Sequence, residues 1–554
     1  MTGLADVVTY RLDVGGWQTR WIEDVARAAR ANGDWPDRTV AEYARDRALA
    51  NPDQVLLIDG DLPLTAGQLY GRAQHVAGWF VAQGLTAGDV VSFQLPNWWE
   101  AAVINIAAAM IGVVVNPIVP MNRDTEVGYM LTESRSRVVF IPEVFRKFDY
   151  GAMLRRLLPD LPAAPTVVTV RAQADGFVSL DEILRSSAPL AAPLHVDPDA
   201  VKLLMYTSGT TGRPKGVLHS HNSINADSVK MKPAMDLTEG DIVFSPSPVT
   251  HVSGYLWALN MPFYGGVAAL MVDHWEPERA FDLILQHGCT TALGATPFLQ
   301  DLVAISRRRG VALDKMRYYN CGGAAVPPSL IYEAAELWPN CIAWRSFGAT
   351  EVPTMTCPPK SRDQLRLGAE TDGKLYRAEV KIVDAVTGQP VLAGEEGEIL
   401  VREPSMALGY NRIEDNEAAY DAEGYFRMGD LVRLVDGDHV LCTGRKKDLI
   451  IRSGENISAK EIEDVLSGSL RIADVAVVSM PSRKTGEAVC AFIVASNPAD
   501  PPSFADVTTM IAMAGLARQK TPEHLEIVDE LPKTPAGKIR KDVLRKLAID
   551  FELP

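Results

Sequence analysis

The sequence has little of three things: positive charge, cysteine and long uninterrupted apolar runs. Its 55 lysines and arginines are outnumbered by 70 aspartates and glutamates, which gives a net charge of −15. This balance argues against a nucleic-acid groove, because phosphate backbones need a cationic partner. The six cysteines show no CxxC spacing. They predict reduced thiols in a cytoplasmic protein, neither a disulfide framework nor a zinc site.

A membrane-spanning segment is not expected either. The N-terminal residues lack the apolar core of a signal peptide. Residues 101–121 carry no charge, but they are interrupted by Asn105, Gly112, Pro117 and Pro120, which would be unfavourable in hydrocarbon. We therefore expect a buried helix followed by a buried strand in this stretch.

The order of the apolar patterns predicts an α/β protein. A chain of 554 residues is too long for one core, so two or more domains are expected. Helix-like and strand-like segments alternate, which is typical of doubly wound parallel sheets with helices on both faces. The predicted helices are residues 18–31, 40–50, 66–83, 100–111 and 280–287, and the predicted strands are residues 55–58, 90–95, 113–115, 242–244, 291–293 and 316–320.

Short strands with turn signals begin near residue 380 and predict a β-rich subdomain that completes the large domain. The charged, glycine-containing joint at residues 444–448, GRKKD, separates them from about 100 residues with their own β/α alternation. We therefore predict a large N-terminal domain, residues 1–445, with two doubly wound sheets. A small mobile α+β lid, residues 446–554, follows.

The most informative segment is residues 206–216, YTSGTTGRPKG. Its glycines let successive backbone N–H groups form a concave anion nest. Hydroxyls add hydrogen-bond donors and Lys215 adds a cation suited to phosphate. It is not a Walker loop, because Pro214 precedes Lys215 and no Ser or Thr follows. The predicted binding residues are Thr207, Ser208, Gly209, Thr210, Thr211, Gly212 and Lys215.

Two other segments follow strand-like runs. Residues 346–351, SFGATE, combine an aromatic ring that can stack on a purine, a hydroxyl for phosphate and a carboxylate for Mg²⁺. In residues 321–325, CGGAA, consecutive glycines allow the backbone to approach a ligand closely. Further along, Asp430 could accept bonds from ribose hydroxyls, and Arg445 could reach the ribose and Asp430 across a predicted hairpin.

In this order, the segments resemble the acyl-adenylate-forming superfamily, which includes acyl-CoA synthetases, luciferases and peptide-synthetase adenylation domains. The resemblance covers residues 41–546 and implies ATP, Mg²⁺ and CoA as cofactors or co-substrates. It implies that Phe347 stacks on adenine, Thr350 contacts the α-phosphate, and Glu351 with Thr207 holds magnesium. Phe347 replaces the more usual tyrosine. The remaining expected nucleotide contacts are Gly322, Gly323, Ala324, Ser346, Gly348, Ala349, Asp430 and Arg445.

The resemblance also gives roles to C-terminal residues. In residues 532–541, PKTPAGKIRK, it implies that Lys538 bridges the carboxylate and the α-phosphate during adenylation. In residues 452–457, RSGENI, it implies that Gly454 lines the pantetheine tunnel of CoA after the small domain rotates. Lys447 falls at the hinge position.

The resemblance also indicates where the acyl pocket lies. His251, in residues 248–255, PVTHVSGY, matches a position that gates carboxylate access in the superfamily. Residues 256–271 carry no charge, and the first Asp after this stretch is Asp273. Peptide-synthetase adenylation domains have an Asp in this region that holds the amino group of the substrate, so its absence here disfavours an amino-acid substrate. An apolar pocket suits an alkyl or cyclic acid, with Ala349, Val352 and Pro353 as candidate linings.

The resulting prediction is an AMP-forming acyl-CoA ligase for a medium-chain fatty acid, acting as a monomer or homodimer without nucleic acid or a membrane span. Short-chain, cyclic and aromatic acids stay open, as do transfer to a carrier-protein thiol and formation of acyl-AMP alone. An ATP-binding sensor without catalysis is the alternative from another class.

Overall fold

The computed structural model describes residues 8–207, 213–323, 326–453, 455–533, 538–549 and 551. The chain divides into two compact units. The first is Met1–Glu379 with Arg402–Phe426, and the second is Val380–Val401 with Arg427–Pro554. The β-rich strands after residue 426 therefore group with the C-terminal residues, while a functional boundary between residues 445 and 446 stays a prediction.

The first unit contains an eight-stranded sheet. Its first six strands are parallel, and the last two are antiparallel to their neighbours. In spatial order the strands are Val178–Ser179, Thr166–Val170, Ser136–Pro142, Val90–Phe93, Val114–Pro117, Val201–Thr207, Lys215–Ser220 and Gly409–Tyr410.

A second sheet in the same unit has seven strands, all parallel except the last pair. Their spatial order is Ile342–Ser346, Tyr318–Gly322, Thr291–Gly294, Ile242–Ser245, Ala268–Met271, Val55–Asp59 and Leu62–Thr65. Because the carboxyl ends of parallel strands share one edge, ligand-binding loops collect there. Short antiparallel strand pairs also occur in this unit. They are Thr9–Leu12 with Gln18–Trp21, Val144–Phe145 with Phe148–Asp149, and Thr356–Cys357 with Lys374–Leu375.

Helices connect these strands, and local sequence explains several of their ends. Thr39 and Thr65 form capping boxes with Glu42 and Gln68, which satisfy backbone N–H groups at the helix starts. The helices are Glu23–Ala31, Val40–Ala50, Ala66–Ala82, Trp99–Ile111, Asp124–Ser134, Tyr150–Leu157, Leu180–Ser186, His221–Ala234, Val252–Gly254, Met261–Gly265, Pro277–His287, Thr296–Arg309, Pro328–Leu337, Leu365–Glu370 and Glu414–Glu417, with a π-helix at Tyr255–Asn260.

The uncharged stretch at residues 101–121 forms the expected buried elements. Helix Trp99–Ile111 is buried on all sides, and Gly112 ends it in a left-handed conformation with φ of 75°. Strand Val114–Pro117 follows and is also buried. Among the residues that the structure describes, no helix is long and apolar enough to cross a membrane.

The helix predicted for residues 18–31 is wrong in its first half. Gln18–Trp21 forms a strand antiparallel to Thr9–Leu12, and the helix begins at Glu23. Long-range contacts favour the strand, because the Arg20 backbone N–H donates to Leu408 O at 2.8 Å and its guanidinium lies 3.4 Å from the centre of the Tyr420 ring. A local periodicity cannot reveal such partners.

The second unit contains the expected β-rich strands and the C-terminal α+β fold. The strands Glu379–Val383, Gly397–Arg402, Phe426–Val435 and His439–Arg445 are neighbours in one sheet. A second sheet has the order Glu455–Ser458, Leu449–Arg452, Gly486–Ala495 and Ile472–Ser482, with His524–Ile527 parallel to Gly486–Ala495. The helices Ala459–Ser467, Phe504–Met513 and Lys541–Ala548 contribute to its two small apolar cores.

Candidate active site

Two of the predicted motifs meet at one edge of the seven-stranded sheet. Strands Tyr318–Gly322 and Ile342–Ser346 are parallel neighbours, and Gly322 is the partner of Ser346. A Cβ atom on Gly322 would lie 2.6 Å from Ser346 Oγ, so this close approach needs glycine. Gly323 follows with φ of +82°, a conformation that glycine adopts without strain. Ala324 lies outside the described residues.

The segment after Ser346 is held as a tight loop by its own backbone. The N–H groups of Ala349 and Val352 donate to each other's carbonyl oxygens at 2.8 and 3.2 Å. The Phe347 N–H donates to Thr356 Oγ1 at 3.1 Å. Gly348 has no room for a side chain, because a Cβ atom there would overlap the carbonyl oxygen of Pro353. The glycine in SFGATE is therefore required by packing.

Glu351, the predicted magnesium ligand, is buried and bonded to another segment. The Tyr410 hydroxyl donates to Glu351 Oε1 at 2.6 Å, and the Ala407 N–H donates to Glu351 O at 2.8 Å. Burial, followed by the negative charge of Glu351, raises the pKa of Tyr410 far above its usual value. The tyrosine therefore stays a hydrogen-bond donor at every physiological pH.

Thr350, the predicted α-phosphate contact, is held through its backbone. His219 Nε2 lies 2.8 Å from Thr350 O, and His219 Nδ1 lies 3.1 Å from Ser223 Oγ. Burial lowers the pKa of His219 to about 4, so the ring is neutral near pH 7. In that state Nε2–H donates to the carbonyl and Nδ1 accepts from the hydroxyl.

The two ends of the predicted phosphate loop are also placed. Thr207 and Lys215 are partners in an antiparallel pair, with Thr207 Oγ1 3.5 Å from Lys215 O. The cations of Lys215 and Arg213 each lie 3.4 Å from Asp415 Oδ1. Asp415 therefore holds two cations of this segment. Ser208, Gly209, Thr210, Thr211 and Gly212 lie outside the described residues.

In the second unit, Asp430 and Arg445 form an ion pair, and their binding of ribose stays a prediction. Asp430 and Arg445 are partners across the hairpin, and Arg445 Nε lies 2.8 Å from Asp430 Oδ1. Burial raises the pKa of Asp430, while the charges of Arg445, Lys538 and Lys447 oppose that rise. The predicted catalytic lysine thus lies within electrostatic range of the ribose pair. Gly454 is outside the described residues.

His251, proposed for the acyl site, is followed by an unusual helix. His251 is half-buried, and its Nδ1 lies 2.9 Å from Ser253 Oγ. The chain then passes into the π-helix Tyr255–Asn260, all of whose residues are buried. Turns of this kind are frequent at functional sites. The apolar character of residues 256–271 agrees with the sequence, and the gating role of His251 stays a prediction.

A buried lysine in the same region was not predicted. Lys202 Nζ lies 2.6 Å from the Tyr255 hydroxyl and 3.1 Å from Asn105 Oδ1. Burial lowers the pKa of Lys202 to about 7. Burial is the only cause of this shift, and no carboxylate among the described residues offsets it. Lys202 therefore links the π-helix to strand Val201–Thr207, which leads into the phosphate loop.

The donor set fits a magnesium ion that is held partly by nucleotide phosphates. No cluster of three or more His, Cys, Asp or Glu residues suited to a metal occurs in the described part of the chain. Magnesium is commonly bound by one or two carboxylates plus substrate phosphates. The buried oxygens of Glu351 agree with that pattern, and the assignment of Glu351 and Thr207 stays a prediction.

Tyr410, His219 and Asp415 were missed by the sequence reasoning. Each lies far along the chain from the residue that it contacts. None belongs to a short motif from which the contacted residue could be predicted. Gly409–Tyr410 is a strand of two residues, too short to be recognised by periodicity.

The chain is similar to known proteins along nearly its whole length. The family model for AMP-binding enzymes matches residues 44–411, and the model for the C-terminal domain of AMP-binding enzymes matches residues 461–538. The medium-chain fatty-acid–CoA ligase of Escherichia coli is 33% identical over 96% of this chain and 95% of its own length. The salicyl-AMP ligase / salicyl-S-ArCP synthetase of Mycobacterium tuberculosis is 31% identical over 95% of this chain and 94% of its own length.

A solved structure has the same architecture. ATP-bound MatB from Rhodopseudomonas palustris superposes with a TM-score of 0.82 at 25% identity, covering 93% of this chain and 99% of its own. The fold class and the resemblance to adenylate-forming enzymes are both confirmed. The chain therefore belongs to the AMP-binding enzyme family.

Proposed function

We propose that this protein joins a carboxylic acid to CoA through an acyl-AMP intermediate, with a medium-chain fatty acid as the preferred substrate. As an AMP-binding enzyme similar along nearly its whole length to named ligases, it is an AMP-forming acid–thiol ligase. The proposal depends most on one observation: Gly322 and Ser346 are partners at one edge of a sheet. This pairing brings the motifs CGGAA and SFGATE, both predicted to bind the nucleotide, next to each other.

The proposed chemistry has two displacement steps. A substrate carboxylate oxygen attacks the α-phosphorus of ATP, and pyrophosphate leaves. The CoA thiol, after losing its proton, then attacks the acyl carbon, and AMP leaves with the electrons of the broken C–O bond. Activation is needed because a carboxylate is a poor electrophile, whereas AMP is a good leaving group.

The residues are assigned to these steps by charge and position. Lys538 would stabilise the charge that develops between the carboxylate and the α-phosphate. Lys215 and the hydroxyls of the phosphate loop would hold the triphosphate. Asp430 and Arg445 would bind the ribose. Magnesium, held by Glu351 and Thr207 together with phosphate oxygens, would neutralise charge on the triphosphate.

The fatty-acid preference is supported by the similarity to the medium-chain fatty-acid–CoA ligase of Escherichia coli and by the absence of charge in residues 256–271. A pocket without a polar anchor suits an alkyl chain. Aromatic acids are the second candidate, because one relative is named a salicyl-AMP ligase. The same relative's name includes a carrier-protein product, so a carrier thiol is the alternative acceptor.

A substrate panel tests the proposal. Saturated acids of two to sixteen carbons, benzoate, salicylate and cyclohexanecarboxylate are each incubated with ATP, Mg²⁺ and CoA, and AMP and acyl-CoA are quantified. Medium-chain acids should give the highest kcat/KM. Fast salicylate turnover would overturn the fatty-acid assignment. Pyrophosphate release without acyl-CoA would favour a carrier acceptor, and no AMP with any acid would favour a sensor.

We propose a cytoplasmic location for the enzyme, because ATP and CoA are both abundant there. All six cysteines lie in the described residues, and none forms a disulfide. This pattern is typical of proteins that work in a reducing compartment. Whether the enzyme acts as a monomer or a homodimer stays a prediction, which light scattering would decide.

A further inference from the structure

The Glu351 carboxylate is fixed by a residue that lies 59 positions away. The Tyr410 hydroxyl donates to Glu351 Oε1 at 2.6 Å, and both side chains are buried. An O–H···O⁻ bond of this length is charge-assisted and roughly twice as strong as a neutral hydrogen bond.

Tyr410 is itself held in place by its backbone. Strand Gly409–Tyr410 pairs with Lys215–Ser220, where Tyr410 is the partner of Val217. The Tyr410 N–H also donates to Asn416 Oδ1 at 2.8 Å. The ring of Tyr410 lies 5.0 Å from Lys215 Nζ, measured to its centroid. One tyrosine thus contacts both the predicted magnesium ligand and the predicted phosphate-binding lysine.

The same strand pair also holds Thr350, the residue before Glu351. His219 lies two positions after Val217, so its side chain is on the same side of the strand. Its Nε2 is 2.8 Å from the carbonyl oxygen of Thr350. Strand Lys215–Ser220 and its partner Gly409–Tyr410 therefore hold both Thr350 and Glu351 in place.

We propose that Tyr410 is a positioning residue for Glu351, holding one carboxylate oxygen so that the carboxylate meets the metal–triphosphate in one orientation. The inference rests on the proposed metal role of Glu351. Because the hydroxyl holds the carboxylate in a single rotamer, metal binding loses less conformational entropy.

The test is Tyr410→Phe, which removes one oxygen atom and keeps the ring beside Lys215. Binding of Mn²⁺, as a paramagnetic substitute for Mg²⁺, is measured by electron paramagnetic resonance in the presence of ATP without acid. We expect metal binding weakened about ten-fold or more, as for loss of a hydrogen bond to a charged group. ATP affinity without metal should change little. Unchanged Mn²⁺ affinity would overturn the proposal.

The matched control is Tyr319→Phe, since Tyr319 is fully buried and its hydroxyl has no hydrogen-bond partner among the described residues. It should leave Mn²⁺ binding at the parent value. If both variants weaken binding equally, the effect is general destabilisation and the proposal fails.

Glu351→Gln separates this inference from the proposed function. If Glu351→Gln leaves Mn²⁺ binding unchanged, the metal site lies elsewhere, so the metal role of Glu351 and the role of Tyr410 both fail, while the ligase function is decided separately by the substrate panel. If Glu351→Gln weakens binding but Tyr410→Phe does not, the role of Tyr410 alone is wrong. In the double variant, the Tyr410 change should add little to Glu351→Gln, because both act on one contact. Full additivity would contradict a shared role.

Discussion

Among single residues, Lys538 carries the largest proposed effect on catalysis. Lys538→Ala should lower adenylation by about 100- to 1,000-fold, because the transition state concentrates negative charge at the α-phosphate. Pyrophosphate release with acid and ATP measures this step. Thioester formation from supplied acyl-AMP should be nearly unchanged. Equal loss of both half-reactions would contradict the role.

Lys533→Ala is the matched control for Lys538→Ala. Lys533 belongs to the same segment, and its Nζ lies 2.7 Å from Asp474 Oδ2, within the same unit. Removing this charge should affect both half-reactions by less than about two-fold, since exposed ion pairs contribute little. A defect as large as that of Lys538→Ala would assign the effect to the segment and not to one lysine.

The Asp430–Arg445 pair gives a prediction with a pH dependence. Arg445→Ala should raise the KM for ATP about ten-fold or more, as for loss of a charged hydrogen bond. Arg445 opposes the burial that raises the pKa of Asp430. Without Arg445 the carboxyl therefore protonates at a higher pH, and the defect should grow from pH 8 to pH 6.

The control for that pair is Arg427→Ala, because Arg427 lies on the same strand as Asp430 and pairs with Glu398 at 3.5 Å. Its KM for ATP should follow the parent at both pH values. An Arg445→Ala defect that is the same at pH 8 and pH 6 would exclude an effect through Asp430.

Among secondary-structure elements, the Lys202 contact between strand Val201–Thr207 and the π-helix costs stability near neutral pH. Burial lowers the pKa of Lys202 from 10.5 to about 7. The unfolded chain therefore binds more protons between those values, and this contribution to stability rises with pH across that window. Below pH 7 both states are protonated, so the penalty is complete.

Lys202→Met should therefore raise the melting temperature at pH 6.5, and the gain should shrink towards pH 9.5. Tyr255 donates to Asn105 at 2.7 Å, and this hydrogen bond does not need Lys202, so we expect it to persist in the variant. A shift of this size corresponds to several kcal/mol at most. Tyr255→Phe is the contrasting variant and should destabilise, since it takes a partner from the buried amine. A pH-independent effect of Lys202→Met would contradict the assignment.

The elements show what the sequence can and cannot predict. Helix Val40–Ala50 and strand Val55–Asp59 follow from local apolar patterns and caps, and their predicted bounds agree with the structure within one residue. The helix prediction failed at Gln18–Trp21, where the partner strand and Leu408 decide the conformation. The π-helix was not foreseen because its pattern of buried residues has no distinct period.

In the candidate site, too, the sequence predicts what depends on local residues and misses what depends on distant ones. Motif residues such as Glu351 and Lys215 are recognisable because their chemistry is local to a short segment. Tyr410 and His219 act through bonds to residues far away in the chain. Only the folded arrangement of strand Lys215–Ser220 and its partner reveals them. Sequence therefore identifies the groups that would touch the nucleotide more readily than the groups that orient them.

For the whole molecule, the two half-reactions require different groups near one acyl-AMP. We propose that the C-terminal domain rotates to withdraw Lys538 and bring Gly454 to the site. Such a motion needs a large backbone rotation at one or two loop positions. Lys447 lies in the short 3₁₀ turn Lys446–Asp448, and its carbonyl oxygen accepts from Arg545 at 3.1 Å.

Lys447→Pro tests this rotation, because proline fixes φ near −65°, a value close to that of a 3₁₀ turn. Adenylation, measured by pyrophosphate release, should stay within a few-fold of the parent. Thioester formation should fall by roughly 100-fold or more, since the rotated state needs another φ. Lys447→Ala removes the same charge without fixing the backbone, so it should form acyl-CoA nearly normally. If Lys447→Pro forms acyl-CoA at the parent rate, the hinge lies elsewhere or the two steps share one conformation.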